Sequence, residues 1–182
     1  MIGVLVSGTG TNLQALVDAG LPIAAVASNK AGAPALERAG RAGIPTAVFE
    51  LSGYATREER DLAMAAWLAG HGVEAVVCAG YMHLLTPAFL ERFPAINVHP
   101  SLLPAFPGID AVGQALAAGV AETGVTVHFL DEGVDSGPVI LQEAVPVQPG
   151  DTAETLYERI RVVEHRLLPA AVRLYLAGAV RS

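Results

Sequence analysis

Short apolar runs alternate with longer amphipathic stretches over the first 120 residues, and this alternation limits the possible folds more than any other feature. It is typical of βαβ units built around a parallel sheet. The apolar runs predict strands over residues 2–7, 22–28, 45–49, 74–79 and 95–99. The amphipathic stretches predict helices over residues 12–20, 32–42, 56–71, 86–92 and 110–119. We therefore predict an α/β fold with a Rossmann-like open sheet, mostly parallel and with helices on both faces.

The last third of the chain changes character. Two more strands and a final long helix are predicted at residues 124–130, 138–147 and 152–178. Thr152 can cap this helix and Glu154 favours its N-terminus, although Thr155 stands where a full capping box has glutamate. No repeat or linker interrupts the sequence, so a single domain is expected.

Composition argues against several classes of protein. Apolar residues make up 52% and charged residues 16%, which is not typical of disorder, and no apolar run reaches the length of a membrane span. The net charge is −7 and no basic face is visible, so nucleic-acid binding is not expected. Met1 leads directly into an apolar run, and the single cysteine, Cys78, can form no internal disulfide. Both observations favour a cytoplasmic protein, with Cys78 as a small buried apolar side chain.

A glycine-rich turn, Ser7-Gly8-Thr9-Gly10-Thr11-Asn12, joins the first predicted strand to the first helix. Glycines let a backbone approach a ligand, and free N–H groups at a helix start attract an anion. The dinucleotide fingerprint would need a third glycine where Leu13 stands, and a Walker loop would need a lysine that is absent. The turn therefore favours a lysine-free monophosphate site with Thr11 and Asn12 as side-chain donors. An ordinary tight turn is the alternative.

Two polar residues, Asn97 and His99, lie two apart at the end of a predicted core strand and so point the same way. A carboxamide donor beside an imidazole suits stabilisation of an oxyanion and movement of a proton. An acidic loop at residues 129–138 carries Asp135, and a carboxylate near a histidine raises its pKa. Taken alone, a single histidine after a strand is more often a hydrogen-bonded structural residue, and Asp135 by itself is a turn residue.

Three segments together resemble one family. They are Val6-Ser7-Gly8-Thr9-Gly10-Thr11-Asn12-Leu13-Gln14-Ala15, Asn97-Val98-His99-Pro100-Ser101-Leu102-Leu103-Pro104 and Val134-Asp135-Ser136-Gly137-Pro138-Val139-Ile140. In this order they are similar to the glycinamide ribonucleotide formyltransferases. The resemblance implies a purine-pathway enzyme that transfers the formyl group of 10-formyltetrahydrofolate, its co-substrate, to the amine of glycinamide ribonucleotide. It also implies small-molecule substrates, no nucleic-acid or membrane partner, and a monomer or homodimer.

The resemblance covers nearly the whole chain and implies roles for particular residues. It implies one formyltransferase domain, residues 1–182, with a phosphate- and substrate-binding half at 1–95 and a catalytic and folate-binding half at 96–182. Substrate contacts are implied for Gly10, Thr11, Asn12, Leu13, Arg161 and Glu164. The implied catalytic residues are Asn97, His99 and Asp135. Folate contacts are implied for Arg57, Met82, His83, Leu84, Leu85, Asn97, Asp131, Glu132, Gly133, Val134 and Asp135.

The family mechanism assigns distinct tasks to the catalytic trio. The substrate amine attacks the formyl carbon directly, and Asn97 with protonated His99 stabilises the tetrahedral oxyanion. Asp135 raises the pKa of His99 and assists the proton relay. No metal and no covalent enzyme intermediate are implied.

Two departures from the family pattern stand out. His83 occupies a position where the family often has arginine, so the polar rim of the folate site is expected to differ. After Pro107-Gly108 many relatives carry a histidine, whereas Ile109 to Val112 follow here, which puts any role for this loop in doubt.

Three alternative functions remain open at this point. A formyltetrahydrofolate hydrolase would share the trio but usually has an extra N-terminal domain. A formyltransferase acting on initiator methionyl-tRNA normally adds a C-terminal RNA-binding domain. A non-catalytic nucleotide-binding module would keep the glycine turn but has no need of the trio. Three other histidines, His71, His128 and His165, lack metal-like spacing, so no metal site is expected.

Overall fold

The structure is a computed structural model that describes all residues from Met1 to Ser182. The seven strands are β1 (Ile2–Val6), β2 (Ile23–Ser28), β3 (Thr46–Val48), β4 (Ala75–Cys78), β5 (Ala95–His99), β6 (Glu122–Phe129) and β7 (Val139–Pro146). The helices are α1 (Thr11–Asp18), α2 (Pro34–Arg41), α3 (Arg57–Gly70), α4 (Pro87–Leu90), α5 (Ala111–Ala117) and α6 (Ala153–Leu176). Every predicted strand and helix is present, and only a short 3₁₀ turn at Leu51–Gly53 was not predicted.

The strands form one sheet in the order β3-β2-β1-β4-β5-β6-β7. Strand β1 pairs in parallel with both β2 and β4, and β2 pairs in parallel with β3. Strands β6 and β7 are antiparallel, as two strands joined by a short loop must be. The predicted α/β class with a mostly parallel sheet is confirmed. The chain divides into two compact units, Met1–Ile96 and Asn97–Ser182.

The first unit is built around strands that are apolar on both sides. All five residues of β1 and all four of β4 are buried, which is typical of central strands in a parallel sheet. Cys78 ends β4 with 2% of its surface exposed, and burial raises the pKa of its thiol to about 12. The thiol is therefore protonated and unreactive near neutral pH, which confirms the interpretation of Cys78 as a small buried apolar side chain.

The second unit packs α6 against the β6–β7 hairpin. The helix buries an apolar stripe that includes Leu156, Ile160 and Leu167. Its N-terminus has a complete capping box, because Thr155 Oγ1 accepts from the N–H of Thr152 at 2.9 Å while Thr152 Oγ1 accepts from Thr155 N–H at 3.2 Å. The prediction of an incomplete box was wrong, since a threonine hydroxyl can accept the same hydrogen bond as a glutamate carboxylate.

None of the helices combines the length and apolar composition that a membrane-spanning helix requires.

Candidate active site

His99 ends β5 and lies buried, with 5% of its surface exposed. Its Nε2 lies 2.8 Å from the carbonyl oxygen of Phe106, which only accepts hydrogen bonds, so Nε2 carries a proton. The other ring nitrogen, Nδ1, lies 3.4 Å from Asp135 Oδ2. That distance exceeds a normal N–H···O bond, so the two groups face each other without closing a short bond. The structure thus brings together His99 and Asp135, which are far apart in sequence.

Asp135 is held in place by its backbone and by a loop amide. Its φ of 52° lies in the left-handed region, which aspartate tolerates better than most residues. Its Oδ2 accepts a hydrogen bond of 2.7 Å from the N–H of Gly108. The preceding turn is organised by Asp131, whose Oδ1 accepts from Gly133 N–H and from the hydroxyl of Ser136. These bonds, the one from Ser136 foremost, lower the pKa of Asp131.

The loop that follows β5 surrounds His99 with backbone groups. Phe106 offers its carbonyl oxygen to His99, and Gly108 offers its N–H to Asp135. Phe106 and Asp110 both have left-handed φ values, 52° and 55°. Sequence analysis left the role of this loop in doubt because of residues 109–112. In the structure its contacts with His99 and Asp135 are made through the backbone of Phe106 and Gly108, so they do not depend on the side chains at residues 109–112.

Asn97 lies two residues before His99 and contacts a histidine that sequence analysis did not single out. Its Nδ2 lies 3.3 Å from Nε2 of His128, and that same Nε2 lies 3.6 Å from Asp135 Oδ1. His128 is fully buried, and its Nδ1 donates to the carbonyl of Phe129 at 2.8 Å. Burial lowers the pKa of His128, so its ring is neutral near neutral pH and Nε2 accepts from Asn97. His128 therefore fixes the orientation of the Asn97 amide.

In the first unit the glycine-rich turn has the geometry of a close backbone approach. Gly10 precedes α1 with φ 76° and ψ 27°, and no side chain caps the helix. A Cβ at Gly10 would lie 2.6 Å from Cβ of Ala35 and 2.7 Å from its Cα, so only glycine fits. Arg38 closes the outer side by donating from Nε to the carbonyl of Thr9 at 2.7 Å.

The four residues predicted to bind phosphate differ in exposure. Thr11 is half-buried, whereas Gly10, Asn12 and Leu13 are buried. Leu13 has no exposed surface, so any contact from it to a ligand would use its backbone. The N–H groups in the first turn of a helix have no partner within the helix, and this is the feature of the turn that suits an anion.

A serine links this turn to the segment predicted to bind folate. Ser7 directly follows β1, and its hydroxyl donates to Asn29 Oδ1 at 2.6 Å. The same hydroxyl oxygen accepts from Met82 N–H at 2.9 Å. The predicted phosphate turn and the start of the Met82–Leu85 segment are therefore neighbours at the carboxyl ends of parallel strands, where open α/β sheets bind ligands.

The predicted folate residues of the first unit are mostly exposed. Met82 and Leu84 expose 71% and 57% of their surface, and Arg57 is exposed in the first turn of α3. His83 is half-buried and contacts Arg60. In the second unit, residues 131–134 are exposed.

Helix α6 carries the two remaining predicted substrate contacts. The guanidinium of Arg161 lies over the ring of Tyr157, 5.5 Å from its centroid. Glu164 has only 3% of its surface exposed, so on structural grounds it is not an ordinary helix-surface carboxylate. A buried carboxylate on this helix is a stronger candidate for a specific role than sequence reasoning from the residues alone indicated.

No group of three or more histidine, cysteine, aspartate or glutamate side chains is arranged to hold a metal ion. His71, one of the three histidines without an assigned role, contacts the carbonyl of Trp67 through Nδ1 at 2.8 Å.

Comparison with known proteins identifies the family. A family model described as Formyl transferase matches residues 1–172. The chain belongs to the formyl transferase family. It is 43% identical over 188 residues to the phosphoribosylglycinamide formyltransferase of Haemophilus influenzae, covering 99% of this chain and 89% of that protein.

A solved structure agrees with this family, and longer proteins match this chain over part of their length. The crystal structure of glycinamide ribonucleotide transformylase 1 from Symbiobacterium toebii matches with a TM-score of 0.95 and 49% identity, over 97% of this chain and 87% of that one. The trifunctional purine biosynthetic protein adenosine-3 of Chironomus tentans is 49% identical over 190 residues, which cover 99% of this chain. This formyl transferase chain spans only 14% of that longer relative.

Three contributors to the site of this formyl transferase were missed by sequence reasoning. They are the carbonyl of Phe106, the N–H of Gly108 and the ring of His128. Backbone contributions leave little trace in a sequence. His128 had one available signal, since an ionisable residue inside an otherwise apolar strand needs a polar partner.

Proposed function

We propose that this chain transfers the formyl group of 10-formyltetrahydrofolate to the amine of glycinamide ribonucleotide, in purine biosynthesis. The observation that carries the proposal is the grouping of buried His99, at the end of β5, with half-buried Asn97 and Asp135, in a member of the formyl transferase family. Relatives named for this activity, such as the Haemophilus influenzae protein, support the choice of substrate.

Asn97 and His99 are proposed to stabilise the negative charge that develops on the formyl oxygen. One N–H of the Asn97 amide points to His128 and leaves the other free to donate to that oxygen. His99 carries a proton on Nε2 and, when it also carries one on Nδ1, is a cation beside the reacting atoms. Donors that are already oriented need no reorganisation during the reaction, which is why their position matters.

Asp135 is proposed to handle the proton that the substrate amine loses. When 10-formyltetrahydrofolate is bound, it supplies the formyl group. As the new C–N bond forms, the amine nitrogen releases a proton, and as the old C–N bond breaks, the folate nitrogen needs one. Asp135, 3.4 Å from Nδ1 of His99, is placed to hold that proton in between, directly or through water.

The remaining contacts follow the predicted sites. The turn at Gly10–Leu13 is proposed to bind the substrate phosphate, with Arg161 and Glu164 contacting the rest of the substrate. Arg57, Met82–Leu85 and Asp131–Asp135 are proposed to bind folate. We further propose that the enzyme works in the cytoplasm as a monomer or homodimer, without nucleic acid or membrane.

The test is a formyl-transfer assay with 10-formyltetrahydrofolate, run with and without glycinamide ribonucleotide. We expect folate turnover that requires the ribonucleotide and yields its formylated product. Turnover that is independent of the ribonucleotide would instead indicate the hydrolase. No turnover in either condition would refute the enzymatic proposal and favour a binding module.

Replacing His128 with phenylalanine is expected to lower kcat about tenfold, less than the roughly 10²–10³-fold cost of removing an oxyanion donor itself. The reason is that the Asn97 amide loses its acceptor and can rotate away. His128→Gln keeps an acceptor and should retain more activity, while His71→Phe, at an exposed histidine, should change neither kcat nor KM. If the wild type, His128→Phe and His128→Gln have equal kcat and equal melting temperatures, His128 does not orient the Asn97 amide for catalysis.

A further inference from the structure

A buried ion pair lies behind the Met82–Leu85 segment and takes no part in the proposed chemistry. Arg60 and Asp61, neighbours near the start of α3, have no exposed surface. Nε and Nη2 of Arg60 lie 2.8 Å and 2.7 Å from Oδ1 of Asp61. Replacing such a pair with apolar residues is often neutral for stability, so stability alone does not explain why this pair is present.

Both members of the pair hold the loop that contains this segment. Asp61 Oδ2 accepts a hydrogen bond of 2.8 Å from the N–H of Thr86. Arg60 Nη1 lies 2.6 Å from Nδ1 of His83. The pair therefore contacts the loop at two residues: His83, inside the proposed folate-binding segment, and Thr86, directly after it. Arg57, the other proposed folate contact of this unit, lies one helical turn before Arg60 on the same helix.

The bond between Arg60 and His83 exists in only one protonation state. A guanidinium has no acceptor and does not lose its proton, so Nδ1 of His83 must offer a lone pair. His83 is then the neutral tautomer with its proton on Nε2. A protonated His83 has no lone pair, and the two groups would become like charges in contact.

We propose that Arg60 is a positioning residue for the folate-binding segment Met82–Leu85, and that it holds the segment only while His83 is neutral, so that folate binding weakens when His83 takes up a proton. This rests on the proposed function, since the segment's role in folate binding is itself proposed.

The surroundings of His83 set the pH range of the effect. Burial first, and then Arg60, lower the pKa of His83 from its ordinary 6.5, with Lys30 and Arg57 acting in the same direction and Asp61 opposing them. The Tyr81 ring, whose centroid lies 6.0 Å from that of His83, is uncharged in this pH range, and burial raises the pKa of its hydroxyl further. With a lowered pKa, the bond is fully present above about pH 6.5 and is lost as the pH falls through the pKa of folded His83.

Two substitutions of His83 separate the bond from its titration. His83→Asn places an amide oxygen close to the position of Nδ1 and cannot be protonated, so it keeps the acceptor at every pH. His83→Phe removes the acceptor at every pH. Because His83 lies outside the buried core, both variants are expected to fold, and thermal melting checks this.

The first measurement is the Kd of tetrahydrofolate, by calorimetry, between about pH 5 and pH 8. Relative to His83→Asn, the wild type should lose about tenfold in affinity toward the acidic end, the effect of about one hydrogen bond to a charged group. His83→Phe should bind tetrahydrofolate more weakly than His83→Asn at every pH. The plots of affinity against pH for these two variants should be parallel, because any contribution from other titrating groups is common to both. Identical affinities and pH profiles in all three proteins would overturn the proposal.

A second measurement needs no ligand and separates this proposal from the proposed function. Above about pH 6.5, hydrogen exchange at the amides of residues 82–86 should be faster in His83→Phe than in His83→Asn. In the wild type the exchange rate should move from the asparagine value toward the phenylalanine value as the pH falls. If no variant binds folate but exchange follows this pattern, the proposed function fails while the positioning role of Arg60 stands. Equal exchange rates in the two variants would refute that positioning role, even if the enzyme is active.

Discussion

We expect Asp135→Asn to lower kcat by about 10²–10⁴-fold, the range typical of a lost acid–base group, while the chain stays folded. Asparagine has nearly the same size, and its amide oxygen can still accept from Gly108 N–H. What is lost is the negative charge facing Nδ1 of His99 and the ability to take up a proton. The measurement is steady-state kcat and KM for both substrates, with a thermal melt to confirm folding.

Asp110→Asn is the matched control for this substitution. Asp110 also has a left-handed φ, 55° against 52° at Asp135, and it caps α5 by accepting from Gly113 N–H at 3.2 Å. Asparagine suits both features, so stability and kcat should stay close to wild type.

His99→Ala should lower kcat about as much as Asp135→Asn does. Combining the two substitutions should lower kcat little further, because the effects of groups that act as a unit are not additive. If the His99→Ala and Asp135→Asn variants are well folded and have near-normal kcat, the proposed mechanism is refuted.

Gly10→Ala is expected to reduce the stability of the fold and to raise KM for glycinamide ribonucleotide. A left-handed alanine costs about 1–2 kcal/mol. The new Cβ would also lie within 2.7 Å of two atoms of Ala35, at the start of α2, and such overpacking costs about 1–3 kcal/mol. Relief of that contact must move either the turn or the helix, which disturbs the N–H groups proposed to hold the phosphate.

Gly8→Ala is the control in the same turn. Its φ is not positive and a Cβ there would meet nothing within 4 Å, so stability should change by less than about 0.5 kcal/mol. Urea denaturation of both variants measures stability, and KM for the ribonucleotide and for its dephosphorylated form tests the phosphate role. Gly10→Ala should raise KM for the phosphorylated substrate and leave KM for the dephosphorylated form unchanged. An equal loss with both substrates would leave the packing argument standing but remove the phosphate site from this turn.

Much of this structure could be predicted because it depends on local patterns. The alternation of apolar runs and amphipathic stretches indicated the first five strands and five helices, and two apolar runs and an apolar stripe indicated the last two strands and the final helix, all with bounds that differ from the structure by a few residues. The glycine at position 10 could be singled out because a tight turn before a helix favours a residue without a side chain. The spacing of Asn97 and His99 on one strand placed them on the same side of it, since side chains alternate along a strand.

Contacts between distant parts of the chain could not be predicted in the same way. Sequence analysis did not single out Arg60 and Asp61, yet both are buried and bind the loop at His83 and Thr86. The sequence showed that His128 needs a polar partner, but not that this partner is Asn97. Periodicity reports which face of an element is apolar, whereas the partner of a buried polar group depends on register, loop conformation and the left-handed backbone at Asp135. Those depend on the packing of the whole chain, and no short stretch of sequence contains them.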